Sequence, residues 1–248
     1  MGIHNSSVCR VRPLMDVVVK DEQAFHALMK LVGKEGLSAP KFCRYDGTEG
    51  GEMRLKPSKR HLSALIAYMA TKDHGAVSVA NTKRRELFNH DPAVCQEALA
   101  LLEEEYPNLE HSNRAWYVFE GFTAPDIFIE GEDYVIVCEG KWTEPHITTK
   151  TTHLSGPHES RSQMVRHIQG ALNYTDKKVY AFYIVDKECG YLDELEKDSF
   201  ALRLKKETIA IPETEQSFIL NAYVGYTTWQ AIENAIPEVE FTIQKENI

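Results

Sequence analysis

Pro125-Asp126-Ile127-Phe128-Ile129 and Tyr134-Val135-Ile136-Val137-Cys138-Glu139-Gly140-Lys141 decide how this chain is read. Both runs are rich in β-branched and aromatic residues. The segment between them, Glu130-Gly131-Glu132-Asp133, is polar with one glycine, so the pair predicts a β-hairpin. Asp126, Glu139 and Lys141 sit inside these apolar runs. Charged side chains are mostly exposed unless they are paired or bind a metal, so their placement needs a reason.

A turn of even length pairs Glu130 with Asp133, or Ile129 with Tyr134, and sets Asp126 opposite Val137. Side chains alternate along a strand, and cross-strand partners point the same way. Asp126, Val137, Glu139 and Lys141 then share one face, with Asp126 and Glu139 as diagonal neighbours. A slip of one residue would separate them. Ile127, Ile129, Ile136 and Cys138 form the other face, apolar enough to pack against a helix. Two adjacent carboxylates repel and raise each other's pKa unless a cation lies between them. Magnesium suits such a place, because it is a hard ion that often takes only one or two protein carboxylates. The competing reading makes Glu139 and Lys141 an exposed ion pair at a strand end.

The chain has 248 residues, 43% hydrophobic and 26% charged, an ordinary globular composition with ample material for a core. No apolar run approaches the roughly 18 residues a membrane helix needs. Met1 to Ser7 lacks a signal-peptide core and only loosely fits a myristoylation pattern. A cytoplasmic protein with no membrane partner is expected. Cys9, Cys43, Cys95, Cys138 and Cys189 are scattered singly, which argues for a reducing compartment and against a disulfide framework or zinc ribbon. His146, His153, His158 and His167 match no zinc spacing. The net charge of −9 counts against a nucleic-acid partner, although the location of charge matters more than its sum.

In chain order, Asp21 caps a helix through Phe25, Leu28, Met29 and Val32 that Gly33 closes. Residues 36–54, rich in glycine and basic residues, read as a loop. Pro57-Ser58 opens a helix with Lys56, Lys59, Arg60 and His61 at its start, and Lys83-Arg84-Arg85 opens another. Two helices with basic ends fit a DNA-gripping helix-turn-helix, or more commonly a solvated face. Asp91-Pro92 starts a helix reaching Glu105, and Trp116 to Phe119 reads as a strand. Trp142 to Pro157, with its threonines, Lys150 and His153, reads as either a disordered segment or, the favoured reading, a functional loop able to bond phosphates. Glu159 to Asp176 is a helix with Met164, Val165, Ile168, Ala171 and Leu172 on one stripe, and Gln163, Arg166, His167 and Gly170 on the other side. Val179 to Val185 is a strand. A helix with Leu192 to Leu204, a second over Ser217 to Ile236, and a strand-like Val239 to Ile243 complete the chain.

Pro125-Asp126, then Glu139-Gly140-Lys141 with 13 residues from acid to acid, resembles the PD-(D/E)xK motif of restriction-endonuclease-like nucleases. The order helix-strand-strand-strand-helix-strand over residues 92 to 186 resembles that family's core. The resemblance implies an α/β fold: a restriction-endonuclease-like αβββαβ mixed sheet flanked by helices, in residues 91–248 with helical decoration after it, preceded by an N-terminal helical region, 1–90. It implies Asp126 and Glu139 on Mg²⁺ (or Mn²⁺), with Lys141 positioning or activating the attacking water. In that family the helix after the lysine strand contributes polar residues, which points to Gln163 as a catalytic residue. Arg166, His167 and Lys150 are candidate substrate contacts. A further acid is common, and Glu97, Glu104 and Glu120 compete for that place, Glu120 being the first choice as a metal ligand. The implied activity is metal-dependent hydrolysis of phosphodiester bonds in nucleic acid, DNA before RNA, with a homodimer as one partner option. On this reading Asp126→Ala or Lys141→Ala abolishes cleavage and leaves the fold intact. The alternative is a catalytically inactive restriction-endonuclease-like binding or structural protein.

Overall fold

The computed structural model describes residues 6–71, 85–87, 91–108, 122–144, 147, 162–207 and 213–241. The expected strand at 116–119, the basic Lys83-Arg84 and most of the polar segment 142–157 fall outside these residues. The chain is α/β, with a five-stranded mixed sheet flanked by helices. Its strands are β1 (Phe42–Tyr45), β2 (Ile127–Glu130), β3 (Tyr134–Gly140), β4 (Lys178–Val185) and β5 (Tyr223–Thr228), lying side by side in that order. The first two pairings are antiparallel and the last two parallel.

Helices cover both faces of this sheet. On one side, α1 (Arg12–Val18), α2 (Glu22–Leu31) and α9 (Trp229–Ala235) bury Leu14, Phe25, Leu28, Trp229 and Ile232 against Ile127, Ile129, Ile136, Cys138 and Ile184. On the other, α5 (Gln163–Tyr174), α7 (Lys197–Glu207) and α8 (Glu213–Ala222) pack Met164, Ile168, Phe200 and Ile219 against Phe128, Val135, Val137 and Tyr183. A sheet buried on both faces needs strands that are apolar at nearly every position, and β3 is buried at all of its residues. The face predicted to carry chemistry is thus also core, except at the end of β3. Of the other α-helices, α3 (Lys59–Thr71) and α4 (Pro92–Glu105) pack on one another, and α6 (Leu192–Leu195) is short.

Local signals hold where they were strong. The side chains of Asp21, Asp91 and Ser162 accept hydrogen bonds from the first backbone N–H groups of α2, α4 and α5. The hairpin exists with its predicted face parity, but its register differs by two residues. Ile127 lies opposite Cys138, so one step further Asp126 lies across from Glu139 rather than from Val137. The cause is the turn. Gly131 N–H donates to Tyr134 O at 3.0 Å, closing a two-residue connection of Glu132 and Asp133. The Tyr134 ring lies over Gly131 so closely that a Cβ there would sit 2.1 Å from it.

Four stretches differ from expectation. Within the supposed loop 36–54, Phe42–Tyr45 forms the edge strand β1, drawn in by pairing with β2 and by the Phe42 ring against Phe128. The N-terminal region is therefore not purely helical and shares this sheet. The single helix over 217–236 is helix, strand, helix: Tyr223–Thr228 runs parallel to β4, with Gly225 at φ +113° where the ladder shifts register. The helix after Cys189 divides into α6 and α7, because Glu196 adopts an extended backbone. Residues 239–241 form no strand.

Candidate functional site

The site gathers at the C-terminal end of β3. Glu139 and Lys141 are 3% and 5% exposed, and Lys141 Nζ donates to Glu139 Oε1 at 2.6 Å. Nζ also donates to Gln163 Oε1, on the first residue of α5, at 3.0 Å. The Lys141 backbone is held on both sides: its N–H donates to Ile184 O of β4, and Trp229 Nε1 donates to its carbonyl at 2.8 Å. Asp126 lies just before β2, where its Oδ2 accepts the Gly140 N–H at 2.7 Å and its Oδ1 accepts the Ser7 hydroxyl at 3.2 Å. Ser6 bonds Gly140 O from the same N-terminal turn. Gly140 is a point of close approach, where a Cβ would meet Val11 and Trp229 at 3.0 and 3.1 Å.

His167 follows Gln163 by one turn of α5 and meets the same carboxylate. Its Nε2 lies 2.9 Å from Glu139 Oε2, and its Nδ1 lies 2.6 Å from Thr123 Oγ1. It is 1% exposed, so the side of α5 that might have been a solvated face is internal here. Both ring nitrogens of His167 are thus engaged within the protein. Arg166, half-buried, donates from Nη2 to Phe122 O.

The electrostatics separate the two acids. Burial alone would raise the Glu139 carboxyl, but the Lys141 ammonium and the His167 hydrogen bond overturn this and hold it at about 2. Burial would likewise lower Lys141, yet the charge of Glu139 keeps its ammonium above the ordinary lysine value. Asp126 goes the other way: burial first, then the charge of Glu139, push its carboxyl well up, against the Gly140 N–H and Lys141. Glu52 is raised by burial and by Glu139, so a third carboxylate is felt here, carried by the glycine-rich loop after β1. Nothing in the spacing of Gly50-Gly51-Glu52 marks it in advance.

Asp126, Glu139, Lys141 and Gln163 come together as expected from the sequence. Glu120 and Lys150 lie outside the described residues, as do His146, His153 and His158. Glu97 and Glu104 are exposed on α4 and are not among the groups that shift either site carboxylate. The basic start of α3 is engaged within the molecule: Lys59 pairs with Glu103 at 2.5 Å, Arg60 with Glu215 at 2.6 Å, and Lys56 bonds Tyr106 O. Among the described residues no three acidic, histidine or cysteine side chains form a ready-made metal cage, and no helix is long and apolar enough to cross a membrane. No family model, curated protein or solved structure matches the chain.

Proposed function

We propose that this chain is a restriction-endonuclease-like, Mg²⁺- or Mn²⁺-dependent nuclease acting on phosphodiester bonds in nucleic acid, with Asp126, Glu139, Lys141 and Gln163 as its working residues. The observation that carries the reading is geometric: Asp126 accepts the Gly140 N–H at the same strand end where a buried lysine is bonded to Glu139 and Gln163. The donor type fits a hard divalent ion: carboxylate oxygens on Asp126 and Glu139 at one strand end, with the charge of Glu52 felt there as well. When bound there, such an ion supplies Lewis acidity that stabilises charge developing on the phosphate and makes water a better nucleophile.

The chain's own groups then have distinct tasks. Lys141 stays protonated, so it orients water and offsets transition-state charge; it does not take up a proton. Glu139 and Gln163 hold two of its three Nζ donors among the described residues, which aims the third. Trp229 and β4 fix the main chain beneath it. A binding or structural protein on the same fold is the second reading, favoured by the −9 charge and by the neutralisation of Glu139 through Lys141.

A cleavage assay separates the two, using plasmid, linear duplex, single-stranded DNA and RNA with Mg²⁺, Mn²⁺ or chelator. The nuclease reading expects cleavage that requires metal and is lost in Asp126→Asn. No cleavage of any substrate, or cleavage that survives Asp126→Asn, sinks it.

A further inference from the structure

The contacts of His167 define its protonation pattern. A carboxylate only accepts hydrogen bonds, so Nε2, facing Glu139 Oε2, carries the proton. With one ring proton placed there, Nδ1 is bare, and the Thr123 hydroxyl 2.6 Å away is the donor to it. Thr123 is fixed in turn. It exchanges two backbone hydrogen bonds with Leu55, at 2.8 and 2.9 Å, and this bridge lies directly on α5. It can do so because residue 170 is glycine: a Cβ there would sit 2.7 Å from Leu55 Cβ and 3.3 Å from Thr123 Cγ2.

Building on the nuclease reading, we infer that His167 is a positioning residue, locked by Thr123 as the Nε2–H tautomer, that clamps Oε2 of Glu139 while Lys141 clamps Oε1. With one oxygen anchored, a carboxylate still swings about its terminal torsion. Anchors on both oxygens, one from α5 and one from the end of β3, remove that freedom and hold the remaining lone pairs in one orientation for a divalent ion. The opposite tautomer would aim a bare nitrogen lone pair at the carboxylate and repel it, so the Thr123 hydroxyl is part of the device. His167 touches neither substrate nor ion in this arrangement.

The test uses the full chain, with Mn²⁺ titrated calorimetrically and the imidazole tautomer read by ¹H–¹⁵N NMR, in wild type, His167→Phe, His167→Gln and Thr123→Val. The wild-type His167 is expected to be protonated at Nε2 alone. His167→Phe and Thr123→Val should weaken Mn²⁺ binding about 10- to 100-fold, the usual effect of losing a partner that orients a ligand. His167→Gln, which keeps a donor at the Nε2 position, should restore most of it. Thr123→Val conserves shape and covers the case in which His167→Phe fails to fold. Wild-type affinity in both His167→Phe and Thr123→Val, or a wild-type ring protonated at Nδ1, overturns the inference and leaves the nuclease reading standing. A wild-type chain that takes up no Mn²⁺ overturns both.

Discussion

Lys141→Met removes the ammonium from an ion pair whose members are 5% and 3% exposed, while keeping most of the side chain's bulk. Glu139 is left buried with His167 as its remaining described partner. Breaking a buried pair from one side costs about 3–5 kcal/mol, because the surviving charge is uncompensated. For a chain of this size each kcal/mol moves the melting temperature by about 2–4 °C, so a drop of roughly 6–20 °C is expected. The expectation that a lysine substitution leaves the fold untouched therefore does not survive the burial of this side chain.

The loss has a defined pH dependence. In the wild type, the Glu139 carboxyl is held below its unfolded value, so its stabilisation is present at neutral pH and fades as pH falls towards about 2. Without Lys141, burial raises that carboxyl above its unfolded value. The penalty is then full at pH 7 and fades as pH falls to about 4, where the unfolded glutamate also protonates. The gap between variant and wild type is widest at pH 7 and smaller near pH 4, where the variant's penalty has gone while most of the wild type's stabilisation persists. Glu139→Gln combined with Lys141→Met leaves neither charge buried and should recover much of the loss. Urea unfolding of the three proteins at both pH values measures this. A loss under about 1 kcal/mol at pH 7, well short of the buried-pair range, would refute the reasoning. So would an equal loss at both pH values, or a double variant no better than the single one.

Three further outcomes follow from the same geometry. Asp126→Asn should abolish cleavage and raise the stability of the metal-free chain at neutral pH, since an upshifted carboxylate opposes folding once pH exceeds its unfolded value of about 3.9; the gain should disappear near pH 3, and urea midpoints at both pH values check it. Gly170→Ala drives a Cβ into the Leu55–Thr123 bridge and should cost about 1–3 kcal/mol, seen as a lower urea midpoint. Trp229→Phe keeps an aromatic ring but leaves the Lys141 carbonyl without its indole donor, a loss of about 1–3 kcal/mol in the same assay.

What was legible in the chain is what local chemistry repeats along it. Alternation and β-branched composition mark β2, β3 and β4, capping residues mark the starts of α2 and α4, and an even turn puts Asp126, Glu139 and Lys141 on one face. The four residues Phe42–Tyr45 carry too short a pattern to be seen as a strand until β2 is there to pair with them, and Tyr223–Thr228 reads as apolar helix until β4 offers an edge. The register also waited on a contact, the Tyr134 ring on Gly131.

The surroundings of the site belong to the tertiary structure altogether. Ser7 on Asp126, Trp229 on Lys141, Thr123 on His167 and the charge of Glu52 on Glu139 join residues 44 to 119 positions apart. Pairings at such separations leave no period in the chain. The three charged residues of the hairpin were thus determined locally, whereas folding alone decided that Lys141 is buried, that Glu139 is held at both oxygens, and that His167 faces inward, because each depends on which distant segments exclude water from the end of β3.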